Sequence, residues 1–510
     1  MSSTRRVRRG VIIIVSVSAL FASLSSAQGF ASAPTPVLVK DINPTGGSNP
    51  YSLTVFSSRL YFTANDGASR SELWSTNGTP TGTQLIKNID TTGNSELFDF
   101  TIAGSKLYFT ASDGASRNEL WSSDGTASGT QMMQSFNPAA NSHIINETVI
   151  GSKLYFVADD GTHGYELWTS DGTATGTQMV KDVNPTGDSF NPRTLEWGFF
   201  KALGSKMVFT ATDGTHGTEI WSSDGTSAGT QMIKDVNLAG DAKISGGMAV
   251  GPNIYFIGND GTHGSELWVS NGNSTGTHMV KDINPNGDSN IGNFTAVGPK
   301  LYFYATDVSH GKNQLWTSDG SISGTHLVKA INPRANSNLS IFAVLGSKLY
   351  FLASNGTPAN NKLWTSDGTS AGTKLLKDIN TKGDPGIQYS TVAGKKLYFA
   401  ADDGIHGEEL WTTNGTTAGT HMVKDINPKG DSWPRYIIAI GSKVYFGTAP
   451  DFNSGPNKLW STDGTAAGTQ MVKMKTAPHS EFSWPVVLGP TLYFTADDGI
   501  HGTELWKLSK

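Results

Sequence analysis

Short apolar runs alternate with polar turns in a pattern that recurs along nearly the whole chain. In residues 151–189 the run Leu154-Tyr155-Phe156-Val157-Ala158 is followed by Asp-Asp-Gly-Thr-His-Gly, then Glu166-Leu167-Trp168-Thr169-Ser170, then Asp-Gly-Thr-Ala-Thr-Gly-Thr, then Gln178-Met179-Val180-Lys181-Asp182-Val183. A further apolar run precedes Gly151-Ser152-Lys153. Runs of this length, rich in aromatic and β-branched residues and bounded by Gly, Asp and Asn, predict four strands, A to D, joined by tight turns. The consecutive apolar residues of strand B predict that both faces of each sheet are covered, as they are where sheets stack face to face.

The pair Leu-Trp, once Ile-Trp, marks strand C and places Trp at 74, 121, 168, 221, 268, 316, 364, 411, 460 and 506. The spacing is 46 to 49 residues, with one step of 53. A repeated unit of four antiparallel strands is a β-propeller blade. Residues 36–44 read as a strand D with no A, B or C before it, and residues 492–508 supply B and C with no D after them. Together they complete one blade and remove an exposed sheet edge. The prediction is therefore an all-β, single closed propeller of about ten four-stranded blades over residues 36–510. Two five-bladed rings are the alternative, but no linker or change of composition interrupts the chain near residue 270.

Residues 1–27 differ from the rest. A basic start with Arg5, Arg6, Arg8 and Arg9, a short apolar core and a small-residue exit predict a secretory signal peptide cleaved near Ala27, with Ala33 as the other site. Residues 28–35 then form a short linker, and the mature chain is expected to be secreted, extracellular or periplasmic, with no membrane span. Removing the peptide leaves 34 basic against 43 acidic side chains, a formal charge of −9, which disfavours nucleic acid as a partner. The chain has no cysteine, so thiol chemistry and cysteine metal sites are excluded and the fold relies on packing and ring closure.

In a four-stranded blade the D-to-A and B-to-C loops share one face. Asp160 and Glu166, with His163, and the matching Asp403 and Glu409, and Asp498 and Glu504, are the candidate metal ligands, calcium being the possible ion. The competing reading is that Asp caps loop amides and His bonds within the loop; no cofactor is otherwise expected. Six of the eleven His share that loop position, at 163, 216, 263, 310, 406 and 501, and near-equal copies do not make one catalytic constellation. The ten consensus Trp read as core between blades. Departures from the repeat are the candidate ligand contacts: Phe190, Arg193 and Trp197, Trp433 and Arg435, and Phe482 and Trp484, all near the start of strand A, where aromatic and guanidinium groups suit sugar faces or an anion. Residues 354–358 and 449–453 have lost the Asp-His loop.

The text Glu166-Leu167-Trp168-Thr169-Ser170-Asp171-Gly172-Thr173 resembles the bacterial ELWxxDGT repeat family, and the likeness covers residues 36–510. It departs from that pattern at Lys362 and Lys458, at Gln314 and at Asn273. The resemblance implies a propeller-like fold and an extracellular role without a defined activity. The expectation is thus a binding or scaffold propeller that recognises a glycan or an extracellular protein, rather than an enzyme. An exported polysaccharide hydrolase or lyase and a purely structural surface protein are the alternatives. No unrepeated pair of carboxylates stands out in the sequence to carry hydrolysis.

Overall fold

The computed structural model describes residues 35–509, except 69, 116–117, 139, 141, 192–198, 334, 357–359, 450–457 and 474–481. The segments expected to form a signal peptide and linker lie, all but residue 35, outside the described residues. Every regular element described is a β-strand, and the strands form ten antiparallel sheets of four. No described helix is long and apolar enough to cross a membrane.

Blades are numbered here by their innermost strands: Tyr51–Phe56 in blade 1, Phe98–Ala103 in 2, Ile145–Ile150 in 3, Phe200–Leu203 in 4 and Ser245–Val250 in 5. Gly292–Val297 belongs to blade 6, Ser340–Leu345 to 7, Gln388–Ala393 to 8, Arg435–Ile440 to 9 and Ser483–Leu488 to 10. Each innermost strand lies beside the next, and that of blade 10 lies beside that of blade 1, so the ring is single and closed. Blade 10 takes its outer strand from the other end of the chain: Val37–Lys40 pairs with Thr503–Ser509, with Leu38 opposite Trp506.

Adjacent blades are held by repeated contacts. Leu, Tyr and Phe of strand B are all buried, and the consensus Trp packs in the clusters between neighbouring sheets. The strand D lysine reaches the next blade: Lys181 Nζ donates to the Thr230 carbonyl at 2.9 Å, and Lys40 lies 5.7 Å above the Trp74 ring. The Asp-Gly-Thr-x-x-Gly-Thr turn closes on itself, because Asp171 Oδ1 accepts from the Thr173 amide at 3.0 Å and from its hydroxyl at 2.7 Å. A Cβ on Gly176 would come within 2.0 Å of that Asp171 oxygen, which is why glycine stands there.

Where strand C carries its glutamate, that residue fastens the blade to its own D-to-A loop. Glu72 Oε2 accepts from the Ile89 amide at 2.7 Å and Oε1 from Ser95 Oγ at 2.6 Å, and Glu119, Glu166, Glu409 and Glu504 make the corresponding bonds. In blade 7 Lys362 replaces the glutamate and pairs with Asp378 at 2.9 Å, while Pro385 stands where the serine would be.

Candidate functional site

Of the two readings of the Asp-His-Glu set, the hydrogen bonds follow the one in which Asp caps loop amides and His bonds within the loop. Glu166, Glu409 and Glu504 are fully buried and committed to loop amides and serines, as above. Asp160, Asp403 and Asp498 instead each bind their own loop: Oδ1 accepts from the His amide three residues on, and Oδ2 lies 2.7 to 2.9 Å from that His Nδ1. The carboxylates thus serve separate tasks rather than one ion, and no group of three His, Asp or Glu able to hold a metal occurs among the described residues. Asp160 is held below the usual carboxylate range because the His163 amide and ring outweigh its desolvation, and His163 is raised by the same contact.

Phe190 and Phe482 are core residues, not ligand contacts. Phe190 packs on Phe209 at 5.5 Å and Phe482 on Phe494 at 5.2 Å, both rings fully buried. Phe482 fills the place before the innermost strand that Leu97, Ile144, Ile244 and Ile291 fill elsewhere, so it follows the repeat in character though not in identity. Arg193 and Trp197 lie outside the described residues. Trp433, Arg435 and Trp484 stand at the channel mouth, on the face of the D-to-A and B-to-C loops, with the Arg435 guanidinium 5.8 Å over the Trp433 ring.

Backbone geometry separates these side chains from repeat maintenance. Nine of the ten innermost strands, all but that of blade 4, carry a register shift near their start. The residue after the first paired one has positive φ in most blades: Ser52, Asp99, Asn146, Gly246, Asn293, Tyr389, Tyr436 and Trp484. Such bulges re-aim side chains, and the left-handed region favours Gly, Asn and Asp, disfavouring bulky residues. Asn293 shows the ordinary use of the position, accepting the Ile341 amide of the next blade at 2.6 Å. Tyr389, Tyr436 and Trp484 have no such backbone reason, yet they occupy the position in three consecutive blades, with φ of 47°, 53° and 50°. Trp433 does the same two residues before its strand, at φ 49°, where other blades carry Asn49, His143, Lys243 or Gly386.

These rings form an arc over blades 8 to 10. Trp484 is 49% and Tyr389 48% exposed, which among the described aromatic side chains only Phe98 approaches. Burial pushes the Tyr436 hydroxyl up, Arg435 opposes that, and neighbouring Tyr389 adds to it, so the two tyrosines are close. Across the seam, Tyr51 and exposed Phe98 continue the arc with ring centroids 6.5 Å apart.

Blades 2 and 3 supply the acidic counterpart. Asp99 shares the register of Trp484, while Glu147 on the adjacent strand takes a place filled by Leu53, Phe100, Phe294 and Phe342 in other blades. Burial pushes the Glu147 carboxyl up to about 8, and the charge of Asp99 adds to the shift. Glu147 also lines a cavity of about 340 Å³ with Asn146, Thr148, Phe200, Lys201 and Gly247. Tyr389, Tyr436, Asp99 and Glu147 were all missed in the sequence. Aligning the ten A strands column by column would have exposed them.

No family model matches the sequence, and no curated protein does. Solved propellers overlap it loosely. A prolyl endopeptidase aligns at 10% identity and a TM-score of 0.34, over 69% of this chain and 54% of that one. The propeller domain of the Trilobed protease from Pyrococcus furiosus aligns at 13% and 0.31, over 66% and 99%. The GH74 enzyme of Niastella koreensis aligns at 10% and 0.29, over 92% and 73%. The chain spans about half the length of the prolyl endopeptidase, and likenesses of this order say nothing about activity.

Proposed function

We propose that the protein is an exported binding propeller whose channel mouth recognises a glycan by stacking. The observation that carries this reading is the occupation of one left-handed register position by Tyr389, Tyr436 and Trp484 in consecutive blades. A bulky ring there costs on the order of 1 kcal/mol relative to glycine; Tyr436 offsets this by packing edge-on against buried Phe482 at 6.2 Å, whereas Tyr389 and Trp484 stay about half exposed, which maintenance of the repeat does not need. Flat, partly wet rings in a row suit the apolar faces of successive sugars, with hydroxyls left to the polar rim. The signal-peptide pattern and the resemblance to exported repeat proteins support placement outside the cytoplasm.

A glycan array probed with wild type and with Tyr389→Ala/Tyr436→Ala/Trp484→Ala tests this. Wild type is expected to bind a subset of oligosaccharides and the triple variant none, with a melting temperature no lower than that of Tyr436→Ala alone, whose ring packs on Phe482. Equal array profiles for the two proteins would overturn the reading. The hydrolase alternative draws on Asp99 and Glu147; its signature is shortening of a bound oligosaccharide by wild type that Glu147→Gln abolishes.

A further inference from the structure

We infer that the bound glycan is a curved chain, one whose successive sugars turn in the same sense as in α-1,4- or β-1,3-linked glucose, and that the rim discriminates against the straight β-1,4-linked ribbon. This inference rests on the glycan reading above and names the ligand class. Three observations carry it.

The stacking platforms lie on a circle. Tyr389, Tyr436 and Trp484 hold one register position in consecutive blades, each directly after the first paired residue of its innermost strand. Ten sheets share a full turn, so each step from blade to blade rotates the platform by 36° on average, and the two steps from Tyr389 to Trp484 rotate it by 72°. The preceding register position shows one such step directly. There the Tyr51 and Phe98 rings, of blades 1 and 2, have centroids 6.5 Å apart and planes inclined by 41°.

The circle is held in shape. Ser390 Oγ, next to Tyr389, donates to the Phe342 carbonyl of blade 7 at 3.3 Å. Tyr436 of blade 9 meets Phe482, which leads into the innermost strand of blade 10, edge-on at 6.2 Å. Across the seam, Val486 and Leu488 of blade 10 pack on the same cluster as Leu53 and Val55 of blade 1. A closed ring has no edge at which these strands could splay, so the ligand has to adopt the curvature of the rim.

The row of rings is bounded. Before Tyr389 the register position belongs to Ile341, whose amide is taken by Asn293 of blade 6, and after Trp484 it belongs to Ser52. Stacking therefore has three consecutive places, with Tyr51 and exposed Phe98 beyond the seam. A β-1,4-linked glucose chain turns each sugar over relative to the last and runs straight, so it leaves such a row after one or two rings. A chain that turns in one sense follows the row, and its free conformation already resembles the bound one, which lowers the ordering cost of binding.

Isothermal titration with maltohexaose, laminarihexaose and cellohexaose tests the inference, since the three have the same composition and length and differ only in linkage. Wild type should bind maltohexaose or laminarihexaose at least about tenfold tighter than cellohexaose, a difference of about 1.4 kcal/mol; the two arms tell which curved linkage fits. Tyr389 and Trp484 stand at the ends of the row and are half exposed, so Tyr389→Ala and Trp484→Ala should melt no lower than wild type. Each should lose about fivefold in affinity for the preferred hexamer, the scale of one stacking contact. The double variant should bind all three hexamers with similar affinity. Equal wild-type affinity for the three, a preference for cellohexaose, or a preference for a curved hexamer that survives in the double variant overturns the inference and leaves the glycan reading standing. If wild type binds none of the three, the inference falls, and the array decides the glycan reading separately.

Discussion

Ser48 Oγ donates to Glu504 Oε2 at 2.6 Å, and the Ser48 amide to Oε1 at 2.9 Å, across 456 positions of sequence. The corresponding bonds, from the serine hydroxyl in blades 1 and 2 and the serine amide in blade 3, join residues 23 apart. Only in blade 10 do they tie the two ends of the chain. Glu504→Ala should therefore cost about 3 kcal/mol, the scale of removing a buried, multiply bonded partner, and should open the ring. Urea unfolding combined with limited proteolysis of residues 35–50 checks this. Glu409→Ala, a latch of equal chemistry away from the seam, should lower stability without exposing the N-terminal strand, so equal protease sensitivity in the two variants would refute the special role of Glu504.

Stability should peak in mildly acidic solution. Burial raises the carboxyls of Glu166, Glu219, Glu266 and Glu409 to about 7 in the folded protein, above their unfolded value. Between about pH 4.5 and 7 the folded state then holds more protons than the unfolded one, so stability falls as pH rises through that window. His163, His216, His263 and His406 are raised by their Asp partners, and their contribution, complete below the unfolded value of 6.5, is also lost as pH rises. Asp160, Asp213, Asp260 and Asp403 are lowered, and theirs is lost as pH falls below about 3.8. Melting temperatures from pH 3 to pH 8.5 should show a maximum at about pH 4, between the two unfolded carboxyl values. A flat profile between pH 5 and 8 would show that the glutamates stay ionised in the fold.

Lys362 inverts the latch of blade 7, where its ammonium meets Asp378 and Pro385 replaces the serine. Restoring the repeat with Lys362→Glu should destabilise the protein by about 2–4 kcal/mol, because it removes the buried cation paired with Asp378 and buries a carboxylate where no serine receives it. Lys362→Glu combined with Asp378→Asn and Pro385→Ser should recover most of the loss. Chemical denaturation of the single and triple variants gives both numbers.

The ring was legible in the sequence because each blade repeats the same physical problem and solves it with the same residues. The orphan strand at residues 36–44 even announced the seam. Tyr389 and Tyr436 were not legible, since each sits in an ordinary strand-like run, and only the register against Asn146 or Asn293 shows that a ring occupies a left-handed position. Glu147 escaped for the same reason: an acid in the run Ile-Asn-Glu-Thr-Val-Ile reads as a solvent-facing strand residue until the neighbouring blade covers it. Phe190 and Phe482 misled in the other direction. They looked like departures from the repeat, but the D-to-A connections turn them into the gap between sheets, which no local pattern records.

The aromatic arc sets function against stability in a way that one substitution exposes. Trp484 holds φ near 50° with half its surface in water, so its ring contributes little packing while its Cβ bears the strain of the left-handed region. Asn at the equivalent positions 146 and 293 adopts the same backbone at lower cost. Trp484→Asn should therefore raise stability by about 0.5–1 kcal/mol, although most substitutions of a large aromatic lower it. The same change should abolish or strongly weaken glycan binding, as expected where a strained residue is kept for what it contacts. Thermal melts and array binding on the one variant report both effects. A destabilised Trp484→Asn protein would mean that the indole packs usefully against the rim. A stabilised variant that still binds would remove Trp484 from the site while leaving Tyr389 and Tyr436 in place.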